Sequence, residues 1–440
     1  MDFFKLKEHN TSVKTEAISG VTTFMTMAYI IFVQPVILSQ AGMDFGAVMM
    51  ATIVSSVIAM LIMGFYANYP IALAPGMGEN FFFAFTIVVG MGVVWEKALG
   101  IVFVSGILFV ILTIFKVRES VVNTVPESLK RAIAAGIGIF ITFIGLQWAG
   151  VIQDSPGTLV TLGSLNTNYT LLFFIGLIVL FFLYARKIKG AILWGILITA
   201  TIGIPMGVVK FGGIVSRPPS LAPTFFKLDI LGAFHWEYIV PILVLFLLDF
   251  FDTVGTLIGV SSHADLLDKK GNLPRAGRAL MADAIGTVAG SLFGTSTVTS
   301  YIESATGVSE GGRTGLSNVF TSACFLLAIF FYPLVKAIGG GYQVGSSTFY
   351  PVTAPALVLV GALMIKSVAK IKWDDVTEAI PAFLVLIGIP LTYNISHGMA
   401  LGFVSYPIMK LFSGRVKEVH PIMWVLAAVF AVSLVLSTRY

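Results

Sequence analysis

Acidic residues interrupt two stretches of this chain that are otherwise apolar, small or hydroxylic and long enough to cross a membrane. Asp249 and Asp252 lie in the first stretch, and Glu303 lies in the second. A carboxyl group at the middle of a bilayer helix costs roughly 2.5–3.5 kcal/mol on insertion scales. Because several such groups in one chain need compensation, they are typical of a substrate or ion pathway.

The composition places most of the chain in a membrane. Hydrophobic residues make up 57% of the 440 residues and charged residues only 11%, whereas a soluble domain has about 25% charged residues. Apolar runs of roughly twenty residues recur from end to end, which predicts an all-α polytopic protein in contact with the lipid bilayer. The single cysteine, Cys324, excludes a disulfide within the chain.

Basic residues occur between the predicted helices rather than on one patch, so the formal charge of +5 does not indicate a nucleic-acid partner. Their alternation predicts a multi-pass protein of the cell membrane with a cytoplasmic N-terminus. The loop with Lys210, Arg217 and Lys227 is an exception, but long loops carry little information on orientation. The groups expected on the cytoplasmic side are Lys5, Lys7 and Lys14; Lys116, Arg118, Lys130 and Arg131; Arg186, Lys187 and Lys189; Lys269, Lys270, Arg275 and Arg278; and Lys366, Lys370 and Lys372.

Two of the predicted segments, 72–89 and 298–310, contain residues that break helices. The first carries Pro75 and Gly76, and the second follows a run of Ser and Thr. Interrupted backbone inside a membrane is tolerated where it lines a cavity in the protein, and paired interruptions in two halves indicate the central site of a transporter. We therefore expect Glu79, Asn80 and Thr26 near such a cavity.

The two halves of the chain match weakly. Glu79 pairs with Glu303 at a separation of 224 residues, and Thr26 pairs with Thr253 at a separation of 227. The similar offsets favour an internal repeat, which would be inverted if each half had an odd number of helices. Chance similarity between apolar helices is the alternative.

Asp249, Asp252 and Thr256 are spaced to share one helix face, and Asp283 lies in the next predicted helix. For Asp249 and Asp283, a structural role such as a bond to nearby hydroxyls is as reasonable as a functional one, whereas Asp252 favours function. The pairs Gly255 with Gly259 and Gly286 with Gly290 predict close helix approach.

The sequence lacks the motifs of several classes of enzyme and binding site. The chain has no phosphate-binding loop, no His-Glu-x-x-His and no Gly-Asp dipeptide, and its five histidines are scattered. We expect no enzyme activity, no cofactor and no metal.

Glu303 offers two acceptor oxygens in one plane. Guanine presents N1–H beside an exocyclic amine, so a bidentate contact would fit. The flat faces of a base would suit aromatic neighbours such as Phe81, Phe82, Phe83 and Phe85, although most of these are expected to pack or to face lipid. Burial favours the neutral form of a carboxyl group, so such an acid could also exchange a coupled proton.

These residues resemble the nucleobase–cation symporter-2 superfamily, in particular its AzgA-like branch of hypoxanthine/guanine and adenine permeases. The resemblance rests on residues 16–31, on Ala74-Pro75-Gly76-Met77-Gly78, on 249–256 and on 294–315. It implies fourteen transmembrane segments in two inverted repeats of seven, with short strands in segments 3 and 10. It also implies a core domain (1–116 and 237–340) and a gate domain (117–236 and 341–440). The apolar run at 421–438 does not fit a count of fourteen transmembrane segments. It would be either an extra crossing or a surface helix.

The resemblance also implies roles for particular residues. Asp252 takes the place of a substrate-binding Glu of related uracil permeases, and Thr256 takes the place of their proton-linked His. Glu303, with Ile302 beside it, and Phe83 fall on substrate-binding positions of segments 10 and 3. Because the His is missing, the candidates for the coupled proton are Asp252, Glu303, Asp249 and Asp283.

The resulting expectation is a secondary active transporter that takes up a purine nucleobase with protons by alternating access. Guanine or hypoxanthine is favoured, adenine remains open, and a homodimer is a further expectation. The alternative is a sulfate- or bicarbonate-type anion transporter on the same fold. That alternative would require cationic groups or helix N-termini at the ligand, where this chain places Glu303.

Overall fold

The computed structural model describes residues 2–115, 124–264, 266–268 and 273–437. The proposed boundary at 116–117 and the basic residues Lys116, Arg118, Lys269 and Lys270 lie outside this range. Within it, the chain is almost wholly helical, with three short antiparallel strand pairs.

The first half begins with one apolar span that is divided into two helices, α1 (Val13–Met27) and α2 (Ile30–Ser39). It continues with α3 (Phe45–Ile62), β1 (Leu73–Pro75), α4 (Met77–Phe81), a π-helical stretch (Phe82–Gly90), α5 (Trp95–Ile114), α6 (Glu127–Trp148), β2 (Ile152–Ser155), β3 (Leu159–Leu162), α7 (Asn168–Ala185) and α8 (Ala191–Gly203).

The second half repeats this plan. It contains α9 (Ile230–Ala233), α10 (Ile239–His263), α11 (Ala276–Phe293), β4 (Val298–Ser300), α12 (Ser304–Ser309), α13 (Leu316–Ala328), α14 (Tyr332–Gly339), β5 (Tyr342–Val344), β6 (Ser347–Phe349), α15 (Ala354–Met364), α16 (Val376–Leu391), α17 (Ile395–Phe412) and α18 (Pro421–Ser437).

Seven stretches of the described chain are long and apolar enough to span a membrane: Val13–Ser39, Phe45–Ala67, Trp95–Ile114, Glu127–Trp148, Asn168–Ala185, Trp236–His263 and Leu316–Gly339. Shorter apolar helices supply further segments: Met77–Gly90, Ala191–Gly203, Val376–Leu391 and Pro421–Val435. Two further segments contain the breaks at β1 and β4, where helix gives way to strand.

The two interrupted segments meet at the centre of the molecule. Strands β1 and β4 pair antiparallel, with Leu73 opposite Ser300 and Pro75 opposite Val298. Beyond the strands, Gly76 N–H donates to Thr297 O (3.1 Å) and Tyr301 N–H donates to Ala72 O (2.9 Å). Each break therefore satisfies the backbone groups of the other, as buried backbone requires, and the short strands expected in segments 3 and 10 are confirmed.

The helices pack in two groups. The first helix group comprises α1–α5 and α10–α13, in which α11 packs on α3 and α5, and α1 packs on α13. The second helix group comprises α6–α8 and α15–α18, in which α6 packs on α15 and α16, and α16 packs on α17. The last helix, α18, lies along α17 and buries Phe430 against Phe403 (ring centroids 4.9 Å apart).

Candidate functional site

One face of α10 is open where the sequence places its acids. Asp252 is exposed in mid-helix, and a Cβ added to Gly255 one turn later would meet no atom within 4 Å. Thr256 is buried behind that face. The close helix approach predicted at Gly255 is therefore wrong, since this glycine lines open space, whereas a Cβ on Gly286 would lie 2.7 Å from Ala59 Cβ.

The end of β4 brings a second carboxylate to this space. Glu303 is half-buried at the start of α12, and Ile302 beside it is 55% exposed. The Ile302 side chain reaches across to α10, within 3.5 Å of where a Cβ on Gly259 would lie. Asp252 and Glu303 are close enough to interact electrostatically. We call the space bordered by Asp252, Gly255, Ile302 and Glu303 the acidic recess.

Threonines connect α10 to the strands behind the acidic recess. Thr299 Oγ1 donates to Asp252 Oδ2 at 3.3 Å and lies 2.8 Å from Thr253 Oγ1. Thr253 Oγ1 in turn accepts from the Ser300 amide at 3.2 Å. The position of Asp252 is therefore fixed through β4 (Val298–Ser300), the strand that shortly precedes Glu303 in the chain.

Two further acids lie deeper in the first helix group. Asp249 and Asp283 are 1% and 0% exposed, and Thr287 Oγ1 lies 3.0 Å from Asp249 Oδ2. Asp249 Oδ1 and both Asp283 oxygens make no close hydrogen bond, although the two side chains interact electrostatically. Their surroundings fit a structural role through hydroxyls only in part, because most of their acceptor capacity is unused.

None of these acids forms an ion pair with Lys, Arg or His within the described residues. The same residues contain no group of three or more His, Cys, Asp or Glu side chains suited to hold a metal. The acidic recess thus offers acceptors, and on protonation single donors, to a neutral or cationic guest.

The residues of the first interrupted segment face inward. Asn80 is 0% exposed, and its Oδ1 accepts a hydrogen bond from Ser296 Oγ. The residue before Ser296, Thr295, accepts a hydrogen bond from Gln34 Nε2 at 2.9 Å. Glu79 is 3% exposed, and its carboxylate lies over Gly76, at the start of its own short helix. Asn80 thus links the first interrupted segment to the second, and both side chains are buried rather than lining open space.

Aromatic rings separate the first interrupted segment from the second helix group. Phe83 is fully buried, whereas Phe85 contacts rings of the other group, with centroids 6.5 Å from Phe140 and 5.9 Å from Tyr393. Tyr393 also packs edge-on against Phe140 at 5.0 Å. Phe81 likewise lies 6.3 Å from Phe140, so the rings that reach the boundary between the groups are Phe81 and Phe85 rather than Phe83.

Tyr29 is the site residue that sequence reasoning missed. Its hydroxyl donates to Glu303 Oε1 at 2.9 Å, while Thr26 Oγ1 lies 3.4 Å from Glu303 O. The helix breaks between α1 and α2 just before Tyr29, with no Pro or Gly at the break to signal it. The weak match of Thr26 to Thr253 and the family resemblance over residues 16–31 are the sequence signals that pointed to this region.

Two pseudo-symmetric interrupted segments inside a polytopic helical protein define a membrane transporter rather than an enzyme. The family model Xan_ur_permease, described as a permease family, matches residues 14–401. The chain belongs to this family, the nucleobase–cation symporter-2 permeases, as the sequence motifs predict.

Relatives cover nearly the whole chain. The chain is 54% identical to a putative permease of Methanocaldococcus jannaschii (98% of this chain, 97% of that protein). It is 44% identical to the guanine/hypoxanthine permease PbuG of Bacillus subtilis (97% and 98%) and 43% identical to the adenine permease AdeP of Escherichia coli (98% and 95%).

Among solved structures, the transmembrane domain of the cyanobacterial bicarbonate transporter BicA superposes with a TM-score of 0.62 at 17% identity, over 88% of this chain and 96% of that one. The anion transporter Slc26a9 of mouse gives 0.61 at 11% identity, over 91% and 68%. At these identities the likeness shows the fold alone. It confirms the expected architecture of two repeats with seven segments each.

Proposed function

We propose that this protein is a secondary active transporter that takes up a purine nucleobase together with protons. The observation that carries the proposal is the acidic recess, where Asp252 and Glu303 converge on open space and neither forms an ion pair with a basic side chain of the described residues. A neutral, flat molecule rich in N–H donors matches such a surface. Purine permeases among the relatives, which cover nearly all of the chain, support the same substrate class.

Guanine and hypoxanthine fit the proposal best. Both present an N1–H donor, which a carboxylate oxygen of Glu303 accepts, and Asp252 faces the same space for a second contact. Adenine has an acceptor at N1, so it would need a protonated carboxyl group or another orientation. Ile302 supplies apolar contact with the ring face, while Phe83 and Thr256, both buried here, would reach a base only after movement of their segments.

The two helix groups supply the moving parts of the proposal. The first helix group acts as the core domain and the second as the gate domain, with the boundaries given above. Exposed residues follow one face of α10 from Asp252 through Gly255 to Ser262. Because α10 ends before a basic loop, which the positive-inside rule places in the cytoplasm, this face opens the acidic recess inward. The contacts of Phe85 with Phe140 and Tyr393 close the opposite end.

In this proposal the coupled proton binds to a carboxyl group of the acidic recess or to one of the two acids behind it. Asp252 and Glu303 are accessible, whereas Asp249 and Asp283 have unused acceptor oxygens and no ion-pair partner in the part of the chain that the structure describes. A proton on one of these carboxyl groups removes a buried charge, which lowers the cost of moving the core through the membrane. With Thr256 in place of a histidine, carboxyl groups are the proton carriers in this proposal.

Anion transport is the competing function, because the structural neighbours named above carry anions on this fold. Sulfate or bicarbonate would need cationic side chains or free helix N-termini. Asp252 and Glu303 would instead repel an anion. The proposal therefore predicts that neither anion competes with a purine.

Uptake into proteoliposomes tests the substrate and the coupling together. Purified protein should accumulate labelled hypoxanthine against its gradient when the lumen is made alkaline, and a protonophore should abolish accumulation but not exchange. Unlabelled guanine should compete, and sulfate and bicarbonate should not. Accumulation that the protonophore leaves unchanged would contradict proton coupling, and competition by the anions alone would contradict the substrate class. Thiol labelling of a cysteine introduced near the N-terminus of a Cys324→Ser variant, in intact cells and in inside-out vesicles, then tests the proposed cytoplasmic N-terminus in the cell membrane. Cross-linking tests the homodimer.

A further inference from the structure

The break in the first membrane segment places a tyrosine hydroxyl on the Glu303 carboxylate. Helix α1 ends at Met27 and α2 begins at Ile30, so Tyr29 lies at the junction. Its side chain is 2% exposed and its hydroxyl donates to Glu303 Oε1 at 2.9 Å. The contact joins residues 274 positions apart, so it depends on the assembled fold rather than on local geometry.

The position of the Tyr29 ring is fixed from several sides. The carbonyl oxygen of Tyr29 accepts bonds from Phe32 N (3.0 Å) and Val33 N (3.0 Å), which begin α2. The ring faces Tyr301, with centroids 6.5 Å apart, and the Tyr301 hydroxyl donates to Pro75 O at 2.6 Å. Tyr29 therefore connects the break of the first segment with both crossing strands.

Thr26 also contacts Glu303, but more weakly than Tyr29 does. Its hydroxyl lies 2.8 Å from Thr23 O, within its own helix, and 3.4 Å from Glu303 O. One hydroxyl proton cannot serve both acceptors fully, and the shorter contact is the local one. Among the described residues, Tyr29 is the side-chain donor to the Glu303 carboxylate.

We propose that Tyr29 is a positioning residue that assigns different tasks to the two oxygens of Glu303. Oε1 is held by Tyr29, and Oε2 accepts one N–H of the purine. This inference rests on the proposed function and makes it more specific: Glu303 recognises the single N1–H that guanine and hypoxanthine share. The bidentate contact with guanine expected from the sequence is replaced by a single-oxygen contact.

Removal of the Tyr29 hydroxyl tests this assignment without creating a cavity. Tyr29→Phe, Glu303→Asp and the wild type are compared in proteoliposomes for KM and Vmax with labelled hypoxanthine and labelled guanine. Tyr406→Phe is the matched control, because the Tyr406 hydroxyl also donates to a glutamate, Glu378 Oε1 at 3.4 Å, within the second helix group.

Tyr29→Phe should raise KM about tenfold, as expected for loss of one hydrogen bond to a charged group, while Vmax changes less than twofold. The factor should be equal for the two bases because both use N1–H. Glu303→Asp should act in the same direction, since the shorter side chain cannot reach both Tyr29 and the base. Tyr406→Phe should leave KM unchanged.

An unchanged KM in Tyr29→Phe would overturn the assignment, and a loss for guanine much larger than for hypoxanthine would restore the bidentate contact. If Tyr29→Phe does not fold, Glu303→Asp tests the contact from the other partner, and a KM equal to that of the wild type would overturn it. Failure of the wild type to bind either base would overturn the proposed function as well, so the two failures are distinguishable.

Discussion

Acidic side chains cluster in two regions of this molecule, and their partners differ. In the first helix group, Asp252 and Glu303 face open space, and their neighbours are hydroxyl groups. At the end of the second helix group, the fully buried Lys410 lies 3.1 Å from Glu378 and 2.9 Å from Glu418. Arg415 completes this ionic cluster, 2.7 Å from Asp375.

We propose that this difference separates structural acids from functional ones. A buried charge is stable where an opposite charge and hydrogen bonds compensate its desolvation, and the ionic cluster does this within the protein. The acidic recess leaves that compensation to a ligand or a proton. We therefore expect changes in the recess to alter transport, and changes in the ionic cluster to alter stability.

Glu303→Gln provides the strongest test of this division. The amide keeps the shape but replaces an acceptor oxygen with a donor, which opposes the N–H of a bound base. We expect uptake of hypoxanthine to fall about 100-fold or more, since a site built to hydrogen-bond its substrate discriminates strongly against a mismatch. Uptake is measured in proteoliposomes, and the melting temperature should stay near that of the wild type.

Glu418→Gln is the control for this substitution, because it makes the same chemical change in the ionic cluster. It should retain uptake. Equal loss of uptake in both variants would show that the two classes of acid do not differ in function.

Lys410→Met tests the structural side of the comparison. Loss of this cation leaves Glu378 buried without its partner, and breaking a buried ion pair costs about 3 kcal/mol or more. The melting temperature in detergent should fall clearly, and the double variant Lys410→Met with Glu378→Gln should recover part of it. Lys372→Met, at an exposed lysine, should change nothing. A loss of uptake without a loss of stability in Lys410→Met would contradict the assignment.

Asp252→Asn tests whether the recess carries the coupled proton. Without a titratable group at this position, accumulation driven by a pH gradient should fall about tenfold, equivalent to about 1.4 kcal/mol. Exchange of internal for external hypoxanthine needs no net proton movement and should fall less. Equal losses in accumulation and exchange would move the proton to Glu303, Asp249 or Asp283.

The sequence predicted the membrane class, the two interrupted segments and the acids that meet between them. These features follow from hydropathy and from residues with strong local effects, such as Pro75 beside Gly76. It did not predict the break before Tyr29, because that break has no local signal and is stabilised by contacts 274 residues away.

The direction in which individual side chains point could not be predicted from the sequence either. Asn80 and Phe83 lie on an interrupted segment, but the pairing of β1 with β4 turns both inward. The ionic cluster escaped prediction as well, because Lys410 and Glu378 come together only when α16 packs on α17. Gly255 and Gly286 have the same spacing pattern, yet only Gly286 meets a neighbouring helix.

These two glycines give a smaller test. Gly255→Ala adds a methyl group to open space, so the protein should remain as stable as the wild type while KM for hypoxanthine rises a few-fold. Gly286→Ala would place its Cβ 2.7 Å from Ala59 Cβ, and overpacking of this kind costs about 1–3 kcal/mol. Melting temperature and KM are measured for both variants. Gly255→Ala should change mainly KM, and Gly286→Ala should change mainly the melting temperature. A stability loss in Gly255→Ala would mean that this face is packed rather than open.

The pH dependence of stability gives the smallest effect. Hydrogen bonds from Arg415 and Lys410 lower the pKa of Glu418 from 4.5 to about 2. The folded protein therefore binds the proton less readily than the unfolded chain, so this contact stabilises fully above pH 4.5 and is lost as the pH falls toward about 2. The melting temperature of the wild type should thus fall more steeply across this window than that of Glu418→Gln. The difference should be small and should shrink in high salt, because the Glu418 side chain is 47% exposed and exposed ion pairs contribute little. If the two proteins show the same slope, Glu418 adds nothing to the ionic cluster, and Lys410 is held by Glu378 and Asp375 alone.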